Sequence, residues 1–306
     1  MTLTELRYIV ALARERHFGR AAEKCAVSQP TLSVAVKKLE DSLGIAIFER
    51  STGEVRATPV GAQIVAQAER VLAESARVTE IAAAGKDPLS GALRLGVIYT
   101  IAPWLLPPLV PLLKERAPRM PLMIAEGYTD ALIEKLKLSE LDVLVLALPI
   151  TEPGLVAQPV YEEFFRLLIP STHPWAELKF IRPEQLLDES LLMLGAGNCF
   201  RDQVLDLCAR ASPGRHGQSP QVLEGSSLET IRYMVASGVG VTVMPASSVD
   251  QIPKDDRLLK VLPFTEPTPK RQIGLIWRAS FPRHKAIDVM RQALLDCKLP
   301  GTALIR

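Results

Sequence analysis

Cys199 and Cys208 stand nine positions apart in the stretch GAGNCFRDQVLDLC, and their chemistry depends on whether the segment between them is helical. Asn198 is a good N-cap residue, so a helix starting there sets its positive dipole end, together with Arg201, beside the Cys199 sulfur. Both effects favour the thiolate, the form that peroxides attack. Asp202, three residues on, is placed either to bond that thiol or to pair with Arg201. In an unbroken helix nine steps of ~1.5 Å put the two Cα atoms about 13 Å apart on opposite faces. A disulfide needs ~4.4 to 6.8 Å, so the bond forms only if the segment unwinds. Oxidation would then rebuild one part of the fold, which is the physical content of a redox switch. The plainer alternative is a pair of core cysteines on one helix.

Four cysteines (Cys25, Cys199, Cys208 and Cys297) among 306 residues do not make a disulfide framework, and a reducing compartment would keep them as thiols. The start Met1–Glu5 lacks the basic, apolar and small-residue regions of a secretory signal, so a cytoplasmic location is expected. The most apolar stretch, Val143–Ile150, is far shorter than the ~20 residues of a membrane span, so no membrane partner is expected. His17, His173, His216 and His284 are scattered, which favours surface or core roles over metal ligation. With no Cys-x-x-Cys, Gly-rich phosphate loop or Ser/His/Asp grouping beside them, neither a metal nor a cofactor is implied, and no enzyme is expected.

The elements that position the cysteines belong to a chain long enough for two or three domains. From Leu93 onward, strand-like runs at Leu93–Ile98, Leu122–Ala125 and Val143–Leu148 alternate with helical segments at Pro103–Arg116 and Asp130–Leu138. Further strands are expected at Phe165–Ile169, Leu191–Leu194, Val222–Glu224, Val241–Met244 and Gln272–Trp277. This alternation predicts parallel sheets with crossover helices, arranged as two α/β lobes with a cleft between them in the manner of periplasmic binding proteins. The turn-forming Gly85–Gly91 stretch links that part to what precedes it.

The first sixty residues are organised differently. Leu3, Leu6, Ile9, Val10 and Ala13 recur at helical spacing behind Thr4 as N-cap, and a short helix at Gly19–Cys25 follows. Ser28 then caps a third helix with Pro30 in its first turn, Leu32, Val36, Leu39 and Leu43 as its buried stripe, and Gly44 as its stop. Ile45–Phe48 and Val55–Thr58 read as two strands around a turn at Thr52–Gly53. Together these make a winged helix-turn-helix. Pro59 opens a helix to about Ala84 on which Ile64, Val71 and Val78 lie seven apart. That stripe pairs with a second copy or packs on its own domain.

The net charge of +2 gives no warrant for nucleic acid by itself. All of the excess lies in residues 1–60, with nine Lys/Arg against seven Asp/Glu, a bias too mild to decide. On the third helix, Gln29, Pro30, Thr31, Ser33, Val34 and Lys37 lie away from the apolar stripe. Gln and Ser suit base edges, while Lys37, Lys38 and Arg50 suit phosphates of double-stranded DNA. An ordinary solvated face would look the same. The order of helix-turn-helix, wing and pairing helix is what points to an operator.

The run FGRAAEKCAVSQPTLSVAVKKLEDSLGIAIFER, followed by TPVG at Thr58–Gly61, resembles the DNA-binding segment of LysR-type regulators over its whole length. That resemblance implies a DNA-binding head at 1–58, a dimerising linker at 59–89 and a two-lobed effector domain at 90–306. Lobe I would take about 90–164 and 270–306, and lobe II about 165–269. It also implies a homotetramer built as a dimer of dimers. The motifs CFRDQ-x4-C, SSLETIR at Ser226–Arg232, VASG at Val235–Gly238 and WRASFPR at Trp277–Arg283 resemble the hydrogen peroxide-sensing members of that family, which activate antioxidant genes.

By that resemblance Cys199 is the peroxide-reactive cysteine and Cys208 resolves its sulfenic acid to a disulfide, later reset by a thiol reductant such as glutaredoxin or thioredoxin. Thr100 and Thr129, at strand-to-helix turns, match the family's peroxide-holding hydroxyls, and their plainer role is as helix caps. Arg271, with Lys270 adjacent, matches the arginine that orients peroxide. Asn198 occupies a peroxide-contacting position where many relatives have histidine, and it cannot carry a proton at neutral pH. Two other functions use the same features differently: a LysR-type regulator with a small organic effector in its cleft, and a thiol peroxidase. The first needs no reactive thiol and the second needs no winged helix.

Overall fold

The computed structural model describes residues 1–51, 54–211 and 221–305. It divides into two compact units, one formed mainly by Met1–Ala82 and the other by Ala83–Leu136 and Glu140–Arg306.

In the first unit, α1 (Leu3–Glu15), α2 (Phe18–Lys24) and α3 (Gln29–Leu43) form the helix-turn-helix. Thr2, not Thr4, caps α1, because its side chain and that of Glu5 satisfy each other's backbone N–H groups as a capping box. His17 caps α2, its Nδ1 accepting from Gly19 N and Arg20 N. Ser28 caps α3 and a left-handed Gly44 ends it, as expected. Leu32, Val36 and Leu39 are buried, whereas Leu43 is exposed. The wing is β1 (Phe48–Ser51) paired antiparallel with β2 (Glu54–Ala57). β1 starts three residues later than the apolar run suggests, because the Glu40 carboxylate accepts from Ile47 N and Phe48 N and holds the approach to the strand in a non-sheet path. The predicted turn at Thr52–Gly53 lies outside the described residues. Helix α4 (Pro59–Lys86) follows. A Cβ at Gly61 would meet the Ile47 carbonyl at 1.9 Å, so only glycine lets α4 start against the wing. Ile64 and Val71 pack on this unit's own core, but Val78 and Ile81 are 69% and 55% exposed.

The second unit has two apolar cores. Lobe I carries β3 (Leu93–Ile98), α5 (Ala102–Arg116), β4 (Leu122–Gly127), α6 (Thr129–Lys137) and β5 (Val143–Ala147), and β3 pairs parallel with both β4 and β5. Lobe II carries β7 (Ser190–Leu194), α7 (Cys199–Arg210), β8 (Gln221–Gly225), α8 (Leu228–Ala236), β9 (Thr242–Pro245), α9 (Ala246–Val249) and β10 (Leu259–Pro263). The chain then returns to lobe I through β11 (Lys270–Arg278), α10 (His284–Asp296) and β12 (Thr302–Leu304).

One strand joins the lobes. β6 (Leu155–Pro170) is sixteen residues long. Its first part pairs with β11 and β12, and its last part with β9 and β10. The sequence pattern predicts only Phe165–Ile169 of this strand, because Pro159 and a register shift opposite Ile273/Gly274 interrupt the alternation that reads as a strand. The short β10 and β12 leave no sustained alternation in the sequence either.

Candidate functional site

Because β3 and β4 are parallel neighbours in register, Ile98 beside Gly127, the turns at their C-terminal ends lie side by side. Ligands of α/β folds gather at such strand ends. Those turns present Tyr99 and Thr100 from one strand, and Tyr128 and Thr129 from the next. From lobe II, Gly197, Asn198 and Cys199 close the same space, a small, partly open pocket. Thr100, Thr129, Asn198 and Cys199, distant in sequence, are thereby brought together.

Neither threonine is a helix cap. Ile101 is the N-cap residue of α5, and Thr129 is the first residue of α6. The Thr129 hydroxyl is buried and finds no hydrogen-bond partner, an expensive state unless a ligand supplies one. Thr100 is buried, and its Oγ1 accepts from Arg271 Nη1 at 3.0 Å. A second Arg271 nitrogen, Nη2, bonds the Thr100 carbonyl at 3.1 Å. Arg271 therefore stands behind the cavity wall, not among its lining residues. Its neighbour Lys270 instead pairs with Glu162 on the exposed side.

Asn198 precedes α7 but caps nothing with its side chain, whose amide donates to Gly195 O at 3.0 Å. Arg201 directs its guanidinium to Leu194 O at 2.8 Å and Glu224 Oε1 at 2.6 Å. Asp202, placed in the sequence either to bond the Cys199 thiol or to pair with Arg201, is thus not Arg201's partner; Glu224 is. Asp202 is exposed in the first turn of α7.

α7 runs unbroken from Cys199 to Arg210 with neither cysteine in a disulfide. Cys199 packs at the edge of the lobe I core, whereas Cys208 is 4% exposed inside the lobe II core. Nine helical steps hold their Cα atoms about 13 Å apart. Burial pushes the Cys208 thiol up to about 11, so it stays protonated at neutral pH. Phe200, beside Cys199, meets the Phe165 ring edge-on at 5.2 Å and lies 5.0 Å beneath the Arg271 guanidinium.

Two residues of this assembly escaped the sequence reading. Glu163 binds Arg271, and Ser247 binds Glu163. The doublet Glu162–Glu163 between Tyr161 and Phe164 was the available signal. In a strand one of two successive residues faces inward, and a buried carboxylate demands a cation.

A second, open cavity is lined by Phe165, Gln203, Leu207, Arg210 and Arg271 among others.

In the first unit, Gln29, Pro30, Thr31, Val34, Lys37 and Lys38 are exposed on α3 and Ser33 is half-buried. The Thr31 hydroxyl is engaged with Ser28 Oγ at 2.8 Å. Arg50 lies on β1, and its side chain is outside the described part of the structure. Among the described residues no helix is long and apolar enough to cross a membrane.

Comparison with known proteins agrees with this layout. Residues 3–62 match the model of the bacterial regulatory helix-turn-helix proteins of the lysR family, and residues 86–297 match the LysR substrate binding domain. The DNA-binding transcriptional dual regulator OxyR of Escherichia coli K12 is 37% identical over 294 residues, covering 96% of this chain and 95% of that protein. Full-length OxyR of Pseudomonas aeruginosa, solved as a cysteine-to-aspartate mutant, is 50% identical with a TM-score of 0.77, covering 100% of this chain and 99% of the other. An H2O2-bound cysteine-to-serine mutant of Corynebacterium glutamicum OxyR is 33% identical with a TM-score of 0.65, covering 97% and 92%. With a helix-turn-helix head and an effector-binding fold both matched, this chain belongs to the LysR family of bacterial transcriptional regulators.

Proposed function

We propose that this regulator senses hydrogen peroxide at Cys199 and reports it to DNA, activating antioxidant genes from the cytoplasm. The observation that carries the reading is the cavity in which Thr100, Thr129 and Asn198 surround Cys199, with the Thr129 hydroxyl buried and unpartnered. So small a space suits a two-oxygen ligand. Seated peroxide gives Thr129 its missing partner and lies against the sulfur. Attack by the Cys199 thiolate on one oxygen breaks the O–O bond and makes a sulfenic acid. The other oxygen leaves as hydroxide and takes a proton, so thiol and peroxide become sulfenic acid and water. Condensation with the Cys208 thiol releases a second water and leaves a disulfide, which a thiol reductant such as glutaredoxin or thioredoxin reverses.

The disulfide is incompatible with intact α7, since the cysteines must close from about 13 Å to under ~7 Å. Residues 1–58 serve as the DNA-binding head, 59–89 as the linker that pairs copies through Val78 and Ile81, and 90–306 as the sensor. The assembly is a homo-oligomer, a dimer of dimers. Rebuilding α7 alters how sensor lobes pack and hence the spacing of heads on the operator. Gln29, Ser33 and Lys37 meet the DNA, with Pro30, Thr31 and Arg50 beside them.

The larger cavity supports a second reading, a small organic effector, which would act without thiol chemistry. Mass spectrometry of peroxide-treated protein separates the two. A Cys199 to Cys208 linked peptide is expected, and both thiols surviving unmodified would overturn peroxide sensing.

A further inference from the structure

We propose that Glu163 is the positioning residue of the peroxide seat: it holds Arg271 so that Thr100 must point its hydroxyl proton into the cavity, and Ser247 fixes Glu163 in turn. The proposal rests on the peroxide-sensing reading given above.

Glu163, Ser247, Arg271 and Thr100 are each at most 3% exposed. Glu163 sits where β6 passes between lobes, opposite Arg271 on β11 and Thr302 on β12. Its Oε2 accepts from Arg271 Nε at 2.8 Å and stands 2.7 Å from Nη2. Its Oε1 accepts from Ser247 Oγ on α9. With Nε and one side of the guanidinium committed, Nη1 is left to donate to Thr100 Oγ1. An oxygen that accepts from arginine turns its own hydrogen elsewhere, and Thr100 lines the cavity. The direction of donation runs from Arg271 to Thr100 and from Thr100 to the seated peroxide.

That direction matters for the bond that breaks. As the Cys199 sulfur takes one oxygen, the other departs with growing negative charge until it is protonated to water. A hydroxyl already aimed at it stabilises that charge without reorganising. Without Glu163 the guanidinium would be a buried cation with no carboxylate to fix its plane. Glu163 never touches peroxide. It acts through Arg271.

The test uses the full chain carrying Cys208→Ser, so that the Cys199 sulfenic acid accumulates and can be trapped. Glu163→Gln is expected to slow Cys199 oxidation by hydrogen peroxide about 10- to 100-fold, at or below the lower end of the ~100- to 1000-fold loss for removing one aligned donor, since the donor is here only misoriented. Alkylation of Cys199 by iodoacetamide, which needs no seat, should stay within about two-fold. Ser247→Ala should slow oxidation in the same direction by a smaller factor. In a Thr100→Val background, neither change should slow it further, because the donor they orient is gone. Should Glu163→Gln fail to fold, the Ser247→Ala and Thr100→Val pair decides by the same non-additivity. Parallel losses toward both reagents, or multiplying losses with Thr100→Val, would overturn the role of Glu163. A wild-type Cys199 no faster with peroxide than free cysteine would instead overturn the sensor reading. A fast wild type with an unchanged Glu163→Gln rate removes only this inference.

Discussion

Replacing Phe200 by leucine should hasten disulfide closure without touching either thiol. Phe200 lies between the two cysteines on α7, is 2% exposed, meets Phe165 edge-on and sits under Arg271. It must leave that place when the segment unwinds. An edge-to-face pair contributes ~0.5 to 1.5 kcal/mol beyond area burial, and a desolvated cation–π contact up to ~2 kcal/mol. Leucine keeps most of the apolar volume but loses both terms, so opening of the first turn becomes easier by about 2 to 3 kcal/mol. At ~1.4 kcal/mol per tenfold, that is about 30- to 150-fold in the population of the open turn. Hydrogen exchange of the α7 amides should accelerate by a similar factor in reduced protein, and closure from the sulfenic acid should follow it. A lowered melting temperature with unchanged α7 exchange and closure rate would show that Phe200 is ordinary core packing, refuting its role as the catch on the helix.

Other outcomes follow from the same geometry. Because burial holds Cys208 near 11 in the folded state against ~8.5 for a free thiol, the unfolded chain loses that proton first as pH rises. Stability should therefore decline from about pH 8.5 toward 11, and iodoacetamide labelling of Cys208 in reduced protein should stay slow across most of that window; rapid labelling at pH 8 would contradict its burial. On DNA, Gln29→Ala and Ser33→Ala should weaken cognate binding more than binding to random duplex, each base contact being worth ~1 to 3 kcal/mol. Lys37→Ala should weaken both alike and flatten the salt dependence; equal losses for all three in a titration would show that the recognition face is misassigned. Footprints of reduced and oxidised protein on one full operator should differ by whole or half helical turns, and identical protection would mean that subunit spacing does not transmit the signal.

What was legible in the sequence followed from local rules. Ser28, Pro30 and Gly44 bound α3 by capping chemistry alone, whereas Thr100 and Thr129 came from resemblance to the family, their place at strand-to-helix turns only agreeing with it. What stayed hidden depended on contacts across long sequence separations. Glu163 and Arg271 meet only because β6 and β11 are neighbours, and Arg201 finds Glu224 across β7 and β8. Capping by His17 was invisible for another reason: an imidazole is a rare N-cap, and nothing in its neighbours signals the geometry. β6 itself was obscured by Pro159 and by the bulge beside it, which break the alternation that marks strands.

The position of β11 also bears on how the molecule is made. It lies between β6 and β5 in the sheet, yet it is translated after every element of lobe II. About 130 residues separate the end of β5 from the end of β11, roughly 7 to 26 s of synthesis at ~5 to 20 residues per second. Throughout that interval the fully apolar β5, Val143–Ala147, has an unpaired edge, the kind of surface on which chains aggregate. The helix-turn-helix has by then long left the ribosome. A nascent chain of this regulator thus possesses its DNA-reading head well before it has a sensor to govern it.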